Sequence, residues 1–326
     1  MKRGILVIHP GAIGDVLLAR PVLFHIRCLY PEHELVLLAA SAVGGLLQES
    51  AEIDRALSLE STYLTELLAG GDHLHPAFKD WLRRCDLVVG WLRDPEGAVS
   101  ATLQDQGVGH IHIQSPSSPD LLSTHQTARY LEVLEGKCVS EVKIHPLILS
   151  SRVRDRGRQL LHRLRWRDTQ HLVVIHAGSG SMQKCMKAEQ VAPVIEWLYR
   201  KGRFPILLQG PSDAEIVHRV QRLLETAVPV LRDAELMTVA GSISHADLYI
   251  GHDSGVTHLA AALSIPTIAC FGPTNPLQWA PLGTSVTIVT GDTCRCPDWI
   301  TVMRCQEQTC LRIPPERIVQ VCRNYC

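Results

Sequence analysis

No apolar run in this chain of 326 residues reaches the roughly 18–20 residues of a spanning helix, so no helical membrane span is expected. The chain opens on an apolar strand pattern at residues 4–8, without the apolar h-region and small-residue cleavage site of a secretory signal. A cytoplasmic protein is the expectation. The formal net charge of −1 lacks the basic excess of a nucleic-acid binder. The first glycine turn is not G-x-G-x-x-G, and residues 35–39 run into Ala40 and Ser41 rather than into an acid for a ribose. That disfavours a nicotinamide oxidoreductase. The P-loop spacing and any Asp-x-Asp triplet are missing too.

What is present fits a soluble α/β protein. Hydrophobic content of 46% supports real cores, and the length suggests two domains. Short apolar runs alternate with helical patterns. Strands are predicted at 5–8, 35–39, 56–59, 86–89 and 111–113, then at 172–175, 206–208, 228–231, 248–250, 267–271 and 286–289. Runs that are apolar throughout, separated by helices, belong to parallel sheets covered on both faces. The opening Ile-Leu-Val-Ile-His-Pro-Gly of residues 5–11 is echoed by Leu-Val-Val-Ile-His-Ala-Gly at 172–178. Two similar first βα units predict two Rossmann-like halves, about 1–155 and 165–310, sharing a cleft beyond their strand ends. Residues 311–326, in particular 317–321, are expected to pack back on the first half. Seven arginines between 151 and 168 accompany a narrow stripe of Val153, Leu160, Leu161 and Leu164. They suit a solvated inter-domain helix, the preferred reading, or a basic face for an acidic lipid or phosphorylated substrate.

Residues 251–263, Gly-His-Asp-Ser-Gly-Val-Thr-His-Leu-Ala-Ala-Ala-Leu, are the most informative stretch. They follow an apolar strand and open an Ala-rich helix, whose free N–H groups and positive dipole end suit a phosphate or diphosphate. Asp253 and Ser254 are good N-cap types, Gly255 permits close approach, and His258 adds a donor one turn on. Capping alone would equally fit an ordinary helix with a structural histidine. The turn His176–Lys184 sets small and hydroxyl residues, Ser179 among them, before a lysine, a plausible phosphate cradle. Glu215 stands near a helix start, where a carboxylate takes ribose hydroxyls or merely favours the dipole. At the first turn, Gly11 and Gly14 precede Asp15, a carboxylate that serves either as a general base or as a helix-end charge.

Eleven cysteines are present. Cys28, Cys85, Cys138, Cys185 and Cys270 are scattered, and in a reducing compartment they read most simply as small buried hydrophobes. Cys294, Cys296, Cys305 and Cys310 have a spacing open to a four-thiolate zinc site, though its C-x-C start and irregular gaps favour structural thiols or fortuitous disulfides.

Taken in order, these segments and Phe-Gly-Pro-Thr-Asn-Pro at 271–276 resemble the heptosyltransferase family of glycosyltransferases, family 9. The resemblance implies an α/β fold of the GT-B type, two Rossmann-like domains facing across a central cleft. It implies inverting transfer of a sugar, most typically heptose from ADP-heptose, to a hydroxyl of a lipopolysaccharide-core-type acceptor, a glycolipid or oligosaccharide. Asp15 matches the family's catalytic base, on an acceptor-side loop with Gly11 and Gly14. Lys184 matches its phosphate-binding lysine, with Ser179 in the same turn, and Glu215 its ribose ligand. Asp253, Ser254, Gly255 and His258 match its diphosphate and sugar-contacting loop. No metal or other cofactor is expected, and peripheral association with the inner membrane is compatible with such an acceptor. The chain departs from the family pattern at His9, where a basic residue is usual, at Met186, where tryptophan is, and at His252, where asparagine is. The alternatives are a related transferase using another nucleotide sugar and glycan acceptor, and a two-domain nucleotide binder without turnover.

Overall fold

The computed structural model describes residues 2–116, 123–134 and 142–325. The chain divides into two compact α/β units, Met1–Lys143 and Ile144–Cys326. The first carries the parallel strands β1 (Gly4–Ile8), β2 (Glu34–Ala39), β3 (Arg55–Ser58), β4 (Cys85–Gly90) and β5 (His110–Ile113), in the order β3-β2-β1-β4-β5. The second carries β6 (Leu172–His176), β7 (Phe204–Gln209), β8 (Val230–Arg232), β9 (Leu248–His252), β10 (Thr267–Phe271) and β11 (Val286–Thr290), in the order β11-β10-β9-β6-β7-β8. All nine strand pairings among the described residues are parallel.

Apolar runs without alternation form these strands because both sheet faces are covered. In the second unit Val173, Ile175, Leu207, Leu248 and Ile250 enter one core, while Leu172, Val174, Ile206, Leu208 and Tyr249 enter another. Successive residues point to opposite faces, so the two sets interleave. Each sheet reverses strand order beside its first strand, between β1 and β4 and between β6 and β9. Ligands of open α/β sheets sit at that switch point, beyond the carboxyl ends.

Two expected boundaries move. The arginine-rich helix, Ser151–Arg163, is part of the second unit and not an inter-domain element, and the division falls at Lys143 rather than near 155. Its stripe is what holds it: Val153 and Leu161 are buried, Leu160 and Leu164 partly so, and all seven arginines stay exposed. Gly157 crosses Gly241 of the helix Leu236–Ile243 so closely that a Cβ at 157 would lie 2.0 Å from the Gly241 carbonyl carbon. The C-terminal helix, Pro315–Cys322, expected to pack back on the first half, packs within the second unit, on the helix Ala188–Arg200 and on β10 and β11. Ile318 and Cys322 are completely buried there, and Val319 and Val321 partly so.

Cys85, Cys185 and Cys270 are buried as expected, but Cys28 is exposed, on the outer side of the helix Arg20–Leu29. Cys138 lies outside the described residues. No helix among the described residues is long and apolar enough to cross a membrane.

Candidate active site

In the second unit the ends of β6 and β9 bring together side chains far apart in sequence. Lys184, in the short 3-10 turn Met182–Lys184 after β6, donates from Nζ to Asp253 Oδ2 at 2.7 Å. Asp253 leaves β9, and its other oxygen stands 3.8 Å from His258 Nε2. The carboxylate is 9% exposed and the imidazole 5%. Burial alone would raise the Asp253 pKa, but His258 and Lys184 hold its carboxyl well below the usual range. His258 Nδ1 is buried without a hydrogen-bond partner among the described residues.

Ser254 caps the helix Gly255–Ala262, its Oγ accepting from the Thr257 N–H. Gly255 and Val256 are the first helical residues, both partly exposed, and they open the helix beside Asp253. Ser179 spends its hydroxyl on the Asp253 carbonyl, at 2.6 Å, so it ties the two loops together.

Two residues singled out only as parts of longer segments prove to be structural keystones. His176 Nε2 lies 2.8 Å from Asp213 Oδ2, and the same oxygen accepts the Gly210 N–H at 2.7 Å. His176 Nδ1 is 3.3 Å from Ser254 Oγ. Burial opposes ionisation of Asp213, yet the bond to His176 and the Gly210 amide keep its pKa low. Gly178 is the residue that permits this packing, since a Cβ there would fall 1.9 Å from Asp213 Oδ1. His252 receives the Met186 N–H on Nε2 at 3.0 Å, so its proton sits on Nδ1, which points to the Gly178 carbonyl at 3.3 Å. Burial, with the charge of His176, lowers its pKa to about 4, and the ring stays neutral. Its work is to brace both loops. Glu215 is exposed on the first turn of the helix Ala214–Leu223, two residues beyond Asp213, with no bond to another described side chain.

The first unit gathers its own candidate residues near the β1/β4 switch point. Asp15 lies in the first turn of the helix Ile13–Leu18, its Oδ2 accepting the Ala12 N–H at 2.9 Å. Gly14 is inside that helix, and the Gly11 N–H donates to His9 Nδ1 at 3.2 Å. His9 is buried against Trp91 and Tyr130, with ring centroids 5.2 and 5.1 Å away. Burial lowers the His9 pKa to about 4. Its Nε2 and Trp91 Nε1 are buried without partners among the described residues. Burial, and then the charge of Asp15, raise the Tyr130 pKa. Neither Trp91 nor Tyr130 carried a motif that sequence reasoning would catch.

The thiols of Cys294, Cys296, Cys305 and Cys310 gather closely enough to perturb one another. Burial and its cysteine neighbours push Cys296 up to about 11 and Cys310 up to about 12. No group of three or more His, Cys, Asp or Glu among the described residues is arranged to hold a metal ion.

A helix start, a paired lysine and a buried imidazole at the switch point suit a diphosphate, and comparison with known proteins gives that geometry its setting. The profile of glycosyltransferase family 9 (heptosyltransferase) matches residues 119–308, more than half of the chain. The chain belongs to glycosyltransferase family 9. The family's second-half motifs, 176–184, 210–215, 253–258 and 271–276, all fall inside that match. Across 292 residues the chain is 26% identical to a lipopolysaccharide heptosyltransferase 3 of Escherichia coli, covering 82% of this chain and 83% of that one. A family 9 glycosyl transferase from Veillonella parvula superposes with a TM-score of 0.81 at 19% identity, covering 100% of this chain and 98% of its own. The E. coli ADP-heptose lps heptosyltransferase II gives 0.78 at 18%, with the same coverage. The fold is thus GT-B, and the family 9 membership makes the chain a glycosyltransferase.

Proposed function

We propose that the protein transfers heptose from ADP-heptose, with inversion, to a hydroxyl of a lipopolysaccharide-core acceptor. The observation that carries this reading is the Lys184–Asp253–His258 cluster at the start of the helix Gly255–Ala262. Helix N–H groups and a lysine amine are what a diphosphate needs. Glu215, one strand over, takes the ribose hydroxyls. The names of the similar proteins, lipopolysaccharide heptosyltransferase 3 and ADP-heptose lps heptosyltransferase II, favour adenosine as the nucleoside and heptose as the sugar.

Asp15 then acts as the general base of a single displacement. Its carboxylate takes the proton of the acceptor hydroxyl as that oxygen attacks the anomeric carbon. The bond from that carbon to the diphosphate breaks, and ADP leaves with the electron pair. Negative charge growing on the diphosphate is met by Lys184, His258 and the amides of the helix start, which are already in place and need no reorganisation. We assign no metal to this step, because those groups supply the charge stabilisation. Transfer in the cytoplasm to a glycolipid at the inner membrane is part of the proposal, and the exposed arginines of Ser151–Arg163 are the face that suits anionic headgroups.

A thermal-shift panel of ADP-, UDP- and GDP-sugars tests the donor, since a ligand at 100 times its Kd stabilises by roughly 2.7 kcal/mol. ADP-heptose should give the largest shift and should be turned over with a core acceptor. A larger shift with a UDP- or GDP-sugar would replace the donor. A shift without turnover on any acceptor would leave a binding protein.

A further inference from the structure

Trp299 reaches Lys184 from a part of the chain that none of the motifs covers. It opens the helix Trp299–Arg304, whose start is capped by Asp298, the Oδ1 accepting the Thr301 N–H at 2.7 Å. Lys184 Nζ stands over the indole, 5.7 Å from the ring centroid. The far end of the same helix is tied to the same turn, Gln183 Nε2 donating to the Met303 carbonyl at 3.5 Å. The interacting thiols flank this element, Cys294 and Cys296 before it, Cys305 and Cys310 after it. A tryptophan serving only as core would be hidden, yet this residue is 43% exposed. It is held at the surface beside an ammonium.

We infer that Trp299 is a positioning residue of the donor site, whose indole face holds the Lys184 ammonium ready for the donor's diphosphate. The inference rests on the donor-site reading above. A cation over an indole face is attracted by the ring quadrupole, more strongly where water is partly excluded. Lys184 is 24% exposed, with the Asp253 carboxylate on one side and the indole on another. A free lysine side chain has rotamer freedom whose loss a ligand must otherwise offset on binding. An ammonium already confined between Asp253 and Trp299 has lost part of that freedom before the diphosphate arrives. The ring also keeps the amine partly dry, which strengthens its attraction for the diphosphate.

Calorimetry with ADP on the full chain tests this, using Lys184→Ala, Trp299→Leu, Trp299→Phe and the Lys184→Ala/Trp299→Leu pair. Trp299→Leu should weaken ADP binding about five- to thirtyfold, the factor that about 1–2 kcal/mol represents. Trp299→Phe, which keeps an aromatic face, should recover most of that loss. In the Lys184→Ala background the leucine substitution should cost nothing further, a coupling that a merely structural role would not produce. If Lys184→Ala binds ADP as the parent does, the donor-site reading fails and takes this inference with it. If Lys184→Ala is weakened while Trp299→Leu is not, or if the two losses add in full, only the positioning role is overturned.

Discussion

Lys184 and Asp253 close an ion pair of 2.7 Å across 69 positions of sequence, with the carboxylate only 9% exposed. Removing one partner of such a pair leaves the other charge without compensation. Asp253→Ala should lower the unfolding free energy by about 2–3 kcal/mol, seen as a lower urea midpoint with unchanged slope. Lys184→Ala should cost less, because Asp253 keeps His258 nearby. Two variants as stable as the parent would mean that the pair contributes little to the fold.

Asp15 separates chemistry from binding. Asp15→Asn can still accept the Ala12 N–H, so the first turn should remain capped and the melting temperature close to that of the parent. It cannot take a proton from the acceptor, and positioned general bases contribute roughly 10²–10⁴-fold. Turnover should fall by about that factor, with ADP affinity unchanged. A variant transferring sugar at the parental rate would leave Asp15 as a helix-end charge and place the base elsewhere.

Gly157→Ala tests the docking of the arginine-rich helix through the sign of its effect. In an exposed helix the change would stabilise by about 0.5–1 kcal/mol. Here the new methyl meets the Gly241 backbone, which cannot swing aside as a side chain would. A loss of at least about 2 kcal/mol is expected on chemical denaturation. Stabilisation would show that the two helices do not cross this closely.

His252 should make the second unit acid-sensitive in a defined window. Its pKa is near 4 in the folded chain and near 6.5 unfolded. Above pH 6.5 neither state binds the proton, and the histidine's contribution to stability is fully present. As pH falls from 6.5 towards 4 the unfolded chain takes up the proton and the folded one does not, so stability is lost. His252→Asn, which does not titrate, should make the stability–pH curve less steep in that window, leaving the slope that the buried His9 contributes. It should leave the steeper loss below pH 3.8, where Asp213 and Asp253 protonate in the unfolded chain first. Parallel curves for parent and variant would show that His252 is not buried neutral.

Much of the candidate site in each unit is readable because it belongs to local segments. The turns after β1, β6, β7 and β9 each follow an apolar run, and Asp15, Lys184, Glu215, Asp253 and His258 all lie in or just after those turns. The roles inside the turns are less readable. Ser179 looks like a free hydroxyl and is committed to a carbonyl. Asp213 sits two residues from Glu215 without attracting notice, though it organises His176 and Gly210. A hydroxyl or carboxylate is chemically the same in either duty. Only its neighbours decide which one it performs.

Sequence by itself determined the eleven strands, their parallel character and the two-unit plan, because a strand buried on both faces must be apolar at every position and a βα turn is written in consecutive residues. Tertiary structure alone decided where the arginine-rich and C-terminal helices dock, that Trp91 and Tyr130 enclose His9, and that Trp299 stands over Lys184. An amphipathic stripe states that a helix must bury one face, not which surface will cover it. That choice depends on packing between segments distant in the chain, and no local pattern encodes it.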